Sequence, residues 1–128
     1  SRVVKKEDPF KIFGADNTRA FCYIDDTVRA TRLVMESEKT NGEIINIGND
    51  QEEIAMLDLA KRMFNVFNFS PQDLEIREAP QGSVKRRCPD LTKIRKLTGY
   101  EPSVGLDEGL AKTYQWYLKN YNENRKNN

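Results

Sequence analysis

The chain has 128 residues, of which 38% are hydrophobic and 32% charged, enough apolar material for one folded domain with a modest core. Its 21 basic and 20 acidic residues nearly cancel, so the chain has no overall positive field that would attract nucleic acid or an anionic membrane. No apolar run approaches the roughly 20 residues that span a bilayer, and no N-terminal segment is typical of a signal peptide, so we expect a cytoplasmic protein.

The residue types also argue against several kinds of catalytic site. The chain contains no histidine, which removes every triad or proton relay that depends on imidazole. Its two cysteines, Cys22 and Cys88, have no second ligand residue near them in the sequence. We therefore expect reduced thiols and no metal site.

Short apolar runs bounded by turn residues predict four strands. The first two are residues 10–13, which end at Gly14, and residues 20–24. A third strand is predicted over residues 43–47, where two adjacent isoleucines are typical of a strand covered on both faces. Residues 74–77 are the fourth.

Four helices are predicted from apolar residues at helical spacing. Their approximate ranges are 27–38, 55–68, 91–98 and 107–121. Asp25 or Asp26, then Asp90 and Asp107, are the predicted N-cap residues, and Gly99 is a natural C-terminal stop. Strands and helices alternate, so the predicted class is α/β or α+β, with short strands and no internal repeat.

Two polar segments complete the chain. Residues 79–83 are turn-forming and lead into the basic cluster Lys85-Arg86-Arg87. Residues 122–128 are predicted to be a disordered tail because they are entirely polar and terminal. The folded part is therefore expected to span residues 1–121.

Three segments, in this order, resemble the second half of the extended short-chain dehydrogenases/reductases that epimerise, dehydrate or decarboxylate nucleotide sugars. They are residues 18–26 (TRAFCYIDD), residues 45–49 (INIGN), and residues 85–90 (KRRCPD) with the downstream Leu97, Gly99-Tyr100, Pro102, Leu106, Glu108-Gly109-Leu110 and Trp116. On these motifs the chain is similar to the C-terminal lobe of that Rossmann-type fold. The segments that begin at Thr18 and Arg87 resemble the UDP-glucuronate decarboxylase-like branch most, with dTDP-glucose 4,6-dehydratase-like members close to it.

The resemblance implies a division of labour in a longer parent protein. In this family an N-terminal Rossmann domain binds NAD through a glycine-rich loop and carries a Tyr-x-x-x-Lys catalytic pair, while the C-terminal lobe closes over a UDP- or dTDP-sugar. The chain contains neither element, so it has no catalytic residues for hydride transfer. The expected partners are the nucleotide sugar, the parent's own N-terminal domain and a second subunit of a homodimer.

The resemblance also nominates site residues. Arg87 and Arg19 match the family's diphosphate-binding positions, and a guanidinium suits that duty because it can bond two oxygens at once and stays charged at any working pH. Tyr23 and Asn46 lie at predicted strand ends that face the expected ligand. These four residues are the predicted substrate site.

Simpler roles remain open for the same residues. The basic cluster can be a solvated surface, and Arg19 can pair with Asp25 or Asp26. Asn46 can merely satisfy backbone groups at a turn. Trp116 and the tyrosines of the last helix are expected to belong to the core rather than to a stacking platform.

Two other functions also remain open. The chain can act alone as a non-catalytic module that binds nucleotide phosphates or a partner protein, or it can bind nucleic acid through the basic cluster and nearby aromatic residues. If it is instead the lobe of a longer enzyme, we expect an exposed apolar patch where the parent's other domain would dock.

Overall fold

The computed structural model describes residues 2–126, with side chains through residue 120. The elements are β1 (Phe10–Phe13), β2 (Thr18–Ala20), α1 (Ile24–Glu36), a 3-10 turn (Glu38–Thr40), β3 (Glu53–Ala55), α2 (Met56–Val66), β4 (Leu74–Arg77), β5 (Arg86–Arg87), α3 (Thr92–Thr98) and α4 (Leu106–Lys126). This mixed α/β architecture confirms the predicted class.

The described strands form two small sheets. In the first, β1 and β4 run parallel, with Phe10 opposite Leu74 and Phe13 opposite Arg77. In the second, β2 is the central strand of the order β3-β2-β5, antiparallel to β3 and parallel to β5. The central strand therefore brings together segments that are far apart in the sequence.

The core consists of two apolar clusters. The first is built on Phe10 and Ile12 of β1 and on α2, where the Phe10 and Phe64 rings meet edge to face with centroids 5.0 Å apart. The second is formed by α1 and α3 around four fully covered side chains, Ala30, Leu91, Ile94 and Tyr100. Burying a large apolar side chain of this kind contributes roughly 1.5 to 3 kcal/mol.

Several predicted elements agree with the structure. Strands β1 and β4 have the predicted bounds, and α2 falls within the predicted range 55–68. Gly99 adopts the left-handed conformation with φ of 70°, and its N–H donates to the Arg95 carbonyl. The predicted C-terminal stop of α3 is therefore confirmed.

The predicted strand over residues 20–24 is wrong. Strand β2 ends at Ala20 and helix α1 already begins at Ile24, with Tyr23 in the N-cap position and no side-chain cap bond. Asp25 and Asp26 therefore lie inside the first helical turn, where carboxylates favour the helix dipole. The predicted capping role of this pair is wrong for the same reason.

The predicted strand over residues 43–47 is also wrong, since the described structure assigns this segment no strand. It is held by a side chain instead: Lys93 Nζ donates to Glu43 Oε2 at 2.6 Å and to the Ile44 carbonyl at 3.2 Å. Without a hydrogen-bonded neighbouring strand, residues 43–47 form no ladder.

The other two predicted caps differ in outcome. Asp90 Oδ1 accepts the N–H of Thr92 at 2.8 Å, so its capping role is confirmed, although the N-cap position itself is Leu91. The capping role predicted for Asp107 is wrong, because Asp107 lies inside the first turn of α4. The N–H of Leu106, the first residue of α4, donates instead to Glu52 Oε2 at 2.8 Å. The side chain that caps α4 therefore comes from the segment before β3.

Helix α4 runs to Lys126, past the point at residue 122 where the sequence predicts a disordered tail. The polar segment contains Glu, Arg and Lys, which have high helix propensity and can extend a helix without burial. Residues 127 and 128 lie outside the described residues. No helix in the described part is both long enough and apolar enough to cross a membrane.

Candidate substrate-binding site

The two arginines nominated from the sequence are direct neighbours in the structure. Strands β2 and β5 run parallel with Arg19 opposite Arg87 and Thr18 opposite Arg86. Because side chains alternate along a strand and register partners share a face, Arg19 and Arg87 project from the same side of the sheet. The fold thus concentrates two guanidinium groups on one surface.

The opposite face of the same strands carries a closed ion pair. Arg86 donates from Nε and Nη2 to Glu53 Oε2 at 3.0 and 2.7 Å, and the Thr18 hydroxyl donates to the other oxygen of Glu53. The Thr18 hydrogen bond, followed by the one from Arg86, holds the pKa of Glu53 below its usual range. The Arg86 guanidinium is therefore engaged by a carboxylate within the sheet.

Arg19 is half-buried and bonds only to neutral oxygens. Its Nη1 donates to the carbonyls of Thr18 at 2.7 Å and Lys85 at 3.3 Å, while Nη2 donates to the Val84 carbonyl at 2.7 Å and the Ser83 hydroxyl at 3.3 Å. The alternative in which Arg19 pairs with an aspartate of α1 is therefore wrong.

The side chain of Arg87, in contrast, is exposed and takes part in none of the side-chain hydrogen bonds or ion pairs found among the described residues. It is followed by Cys88, a free and half-buried thiol whose pKa is raised by burial and by the nearby Glu53 carboxylate. A raised pKa keeps this thiol protonated and unreactive at neutral pH.

Asn46 lies beside the segment that follows Arg87. Its Nδ2 donates to the Asp90 carbonyl at 3.3 Å. Two residues later, Gly48 packs so closely against Pro89 that an added Cβ atom would lie only 2.8 Å from Pro89 Cγ. The structure thus attaches the 46–48 segment to the loop that leaves β5, and the turn-satisfying role of Asn46 agrees with this bond.

Tyr23 lies in a different environment, an apolar groove of about 590 Å³ between the start of α1 and the face of α4. Phe21, Tyr23 and Ile24 line one side, and Trp116 and Tyr117 line the other. We call this the α1–α4 groove. The structure brings Arg19, Arg87 and the Asn46 segment together around β5 and places Tyr23 at the groove.

The expectation that Trp116 belongs to the core is wrong. Its side chain is 60% exposed, and its ring meets Tyr117 edge to face at 5.2 Å within α4. Ile24 and Val28 of α1 are equally exposed, at 60% each. The expected exposed apolar patch is therefore present, along the α1–α4 groove and the outer face of α1.

Asp26 is a site-shaping residue whose role the sequence did not reveal. It is 1% exposed, and its carboxylate accepts hydrogen bonds from Arg29, from the backbone N–H groups of Ser103 and Val104, and from the Ser103 hydroxyl. Burial of the carboxylate raises its pKa, but these hydrogen bonds outweigh the effect and lower the pKa of Asp26 to about 2. Since Val104 lines the groove, Asp26 fixes one groove wall.

A model of the family described as GDP-mannose 4,6 dehydratase matches residues 2–113. The chain belongs to this family. The GDP-mannose 4,6 dehydratase family lies within the NAD-dependent epimerases and dehydratases, so the resemblance inferred from the three sequence segments is confirmed.

Curated relatives of this family member include enzymes named for uronic acid sugars. UDP-N-acetyl-alpha-D-glucosaminuronate decarboxylase of Bacillus cytotoxicus is 31% identical over 95% of this chain and 39% of its own length. UDP-glucuronate 4-epimerase of Thermodesulfobacterium geofontis is 31% identical over 91% of this chain and 36% of its length. The chain thus spans well under half the length of these relatives.

Solved structures give the same picture. UDP-glucuronic acid 4-epimerase from Bacillus cereus, solved with UDP-glucuronic acid and NAD, is 30% identical with a TM-score of 0.82, over 92% of this chain and 37% of that one. An epimerase from Methanothermobacter thermautotrophicus is 25% identical with a TM-score of 0.87, over 98% of this chain and 37% of that one. The described fold is therefore part of the Rossmann-type fold of the extended short-chain dehydrogenases/reductases.

Proposed function

We propose that this family member is the nucleotide-sugar-binding part of an NAD-dependent epimerase, dehydratase or decarboxylase. The observation that carries the proposal is the pairing of Arg19 with Arg87 on one face of the β3-β2-β5 sheet. Two adjacent guanidinium groups match the charge and the spread of oxygens of a diphosphate. The named substrates of the relatives point to UDP-linked uronic acids as the sugar class to test first.

Arg87 is the proposed primary phosphate contact, because it is exposed and engaged by none of the described side chains. A hydrogen bond from a charged donor of this kind contributes roughly 1.5 to 3 kcal/mol. Arg19 supplies a second positive charge on the same face. No carboxylate of the described residues forms an ion pair with it, so its charge remains available to attract an anion.

Tyr23 and Asn46 complete the proposed substrate site. The Asn46 amide nitrogen is used by the Asp90 carbonyl, which leaves its side-chain oxygen as an acceptor for a sugar or ribose hydroxyl. Tyr23 presents its ring at the α1–α4 groove, where Lys112 Nζ lies 5.3 Å from the ring centroid. The Asn46 oxygen suits the hydroxyl groups of a nucleotide sugar, and the Tyr23 ring suits the apolar face of one of its rings.

NAD is assigned to the N-terminal domain of the parent protein, because the residues of this chain do not fit a dinucleotide. A dinucleotide diphosphate is usually held by a glycine-rich turn between a strand and a helix. The three strand-to-helix connections in the described chain, residues 21–23, the β3–α2 junction and residues 88–91, contain no glycine. We assign no catalytic residue to this chain.

The exposed apolar surface supports a longer parent protein. Ile24, Val28 and Met35 of α1 follow helical spacing and are 60%, 60% and 80% exposed. A stripe of this kind is typical of a helix face that packs against another element. We propose that the parent's N-terminal domain covers it, within a homodimer as the family resemblance implies.

Calorimetric titration of the chain with UDP-glucuronate, UDP, dTDP-glucose and uridine tests the binding role. The expected result is binding of the diphosphate-containing ligands and at least tenfold weaker binding of uridine, which lacks the groups that the arginines contact. Equal affinity for UDP and uridine, or no heat with any nucleotide sugar, would overturn the proposal.

A further inference from the structure

The Glu53 carboxylate binds side chains from both of the other strands in its sheet. Glu53 lies on β3, and its Oε2 accepts hydrogen bonds from Arg86 of β5, from Nε at 3.0 Å and from Nη2 at 2.7 Å. The Thr18 hydroxyl of β2 donates to the other carboxylate oxygen. Because the strand order is β3-β2-β5, these bonds span the full width of the sheet. We call this three-residue arrangement the Glu53 bridge.

Strand β5 has few other contacts that fix its position. It consists of two residues, Arg86 and Arg87, and lies at the edge of the sheet, where one side has no ladder partner among the described residues. Two residues form few ladder hydrogen bonds, so a side-chain bridge contributes a large share of the anchoring. The Glu53 side chain is 23% exposed, which protects its ion pair from part of the solvent screening that weakens surface pairs.

The Glu53 bridge and the proposed diphosphate site lie on opposite faces of the same strands. Neighbouring residues of a strand project from opposite faces, so Arg86 faces Glu53 while Arg87 shares a face with Arg19. The carboxylate can therefore anchor β5 without neutralising the guanidinium of the next residue. Fixing one residue of a two-residue strand also fixes the direction in which the other residue projects.

We propose that Glu53 is a positioning residue for Arg87, acting through Arg86 across the sheet. The inference rests on the proposed role of Arg87 in diphosphate binding, and it leaves the diphosphate contact proposed for Arg19 unchanged. Glu53 and Arg86 hold β5 in place from one face while the opposite face binds the ligand. Loss of either partner of this ion pair is therefore expected to have the same consequence for Arg87.

The first test is made without ligand, by hydrogen exchange of the 128-residue chain. In Glu53→Gln and in Arg86→Gln, amides of residues 85–88 are expected to exchange about fivefold faster, because local opening of β5 requires less free energy. Glu75→Gln is the matched control. Glu75 Oε2 accepts from Nε and Nη2 of Arg77 at 3.1 and 2.7 Å, but both residues lie on β4, so this pair joins no two strands. Unchanged exchange at residues 85–88 in both variants of the bridge would overturn the anchoring role.

The sign of the change in UDP affinity separates positioning from simple charge. Glu53→Gln removes a negative charge near a surface that is proposed to bind an anion, which by itself would strengthen UDP binding. The proposal predicts binding about fivefold weaker instead, because Arg87 is held less firmly on the opposite face. UDP affinity that rises or stays at the wild-type level in Glu53→Gln would overturn the proposal.

The second test is a double-mutant cycle on the affinity for UDP, made with variants that urea unfolding shows to be folded. The loss caused by Arg87→Ala is expected to be about fivefold smaller in the Glu53→Gln background, because a displaced guanidinium contributes less. Arg86→Gln is expected to match Glu53→Gln, with less than about a twofold further loss when the two are combined. A role of Glu53 in stability alone would leave its effect independent of Arg87. Losses that multiply in the cycle would therefore overturn the proposal.

The two tests distinguish failure of this inference from failure of the proposed function. If the wild-type chain does not discriminate UDP from uridine, the binding role fails, yet the exchange of residues 85–88 still reports on the Glu53 bridge. If UDP binds and Arg87→Ala weakens it, while Glu53→Gln alters neither exchange nor affinity, the binding role stands and the positioning role is wrong.

Discussion

Asp26 and Val104 are joined across the fold by a hydrogen bond in which the Val104 N–H donates to Oδ2 of the buried carboxylate at 2.9 Å. Asp26 lies in the first turn of α1 and Val104 just before α4, so this bond fixes the distance between the two elements that enclose the α1–α4 groove. The geometry of the α1–α4 groove therefore depends on the Asp26 carboxylate.

Replacing Asp26 by asparagine is expected to destabilise the chain by roughly 3 kcal/mol, because an amide cannot accept all of these bonds and Arg29 loses its buried partner. Urea unfolding measures the change. Asp25→Asn is the matched control, since Asp25 is exposed and in the same helical turn; it is expected to change stability by less than about 0.5 kcal/mol. Equal effects of both substitutions would contradict the role given to Asp26.

The pH dependence of stability follows from the same group. The pKa of Asp26 is about 2 in the folded chain and close to 3.9 when unfolded, so its ionisation contributes stability that is fully present above about pH 4 and is lost as the pH falls towards 2. The contribution at neutral pH is roughly 2 kcal/mol. Urea unfolding at pH 7, 4 and 2.5 measures the difference in unfolding free energy between wild type and Asp26→Asn. This difference is expected to shrink by about this amount as the pH falls. A difference that stays constant down to pH 2.5 would rule out this contribution of Asp26 ionisation.

Trp116 is the only tryptophan of the chain, so its fluorescence reports on the α1–α4 groove without ambiguity. At 60% exposure it is expected to emit as a solvated indole and to be quenched efficiently by acrylamide. In the longer parent protein, the emission that is lost on Trp116→Phe is expected to be blue-shifted and more weakly quenched, because the proposed N-terminal domain covers this surface. Identical quenching in both proteins would contradict that docking.

Gly48→Ala should weaken nucleotide-sugar binding by displacing the Asn46 segment. Its Cβ would lie 2.8 Å from Pro89 Cγ, which forces the 46–48 segment away from the loop after β5. We expect a several-fold loss of UDP affinity. Gly105→Ala is the control, since its Cβ would meet only Glu52 Oε1, at an ordinary 3.4 Å. Wild-type affinity in Gly48→Ala would show that this attachment does not matter for the ligand.

Local sequence patterns predicted the elements whose stabilising contacts are also local. Strand β1, helix α2 and the Gly99 stop were visible because apolar spacing and a left-handed glycine are properties of short segments. The role of Asp26 is predicted wrongly from the sequence, because its carboxylate accepts hydrogen bonds from residues 103 and 104, far along the chain, and does not cap its own helix. Local patterns carry no signal for that pairing.

The candidate site was predictable in its residues but not in its geometry. The family resemblance nominated Arg19 and Arg87, yet their register across parallel strands is a product of the fold. The ion pair between Arg86 and Glu53 could not be predicted either, because three consecutive basic residues look alike in the sequence. Only the structure distinguishes Arg86 from Arg87, because neighbouring residues of a strand project from opposite faces.

The most direct test of the central claim is the affinity of the chain for UDP in Arg87→Ala, measured by calorimetry against wild type and against Arg32→Ala, an exposed arginine on α1. We predict a loss of roughly 10- to 100-fold in Arg87→Ala with unchanged unfolding free energy, and no loss in Arg32→Ala. Equal UDP affinity in wild type and Arg87→Ala would contradict the assignment of this surface as the diphosphate site.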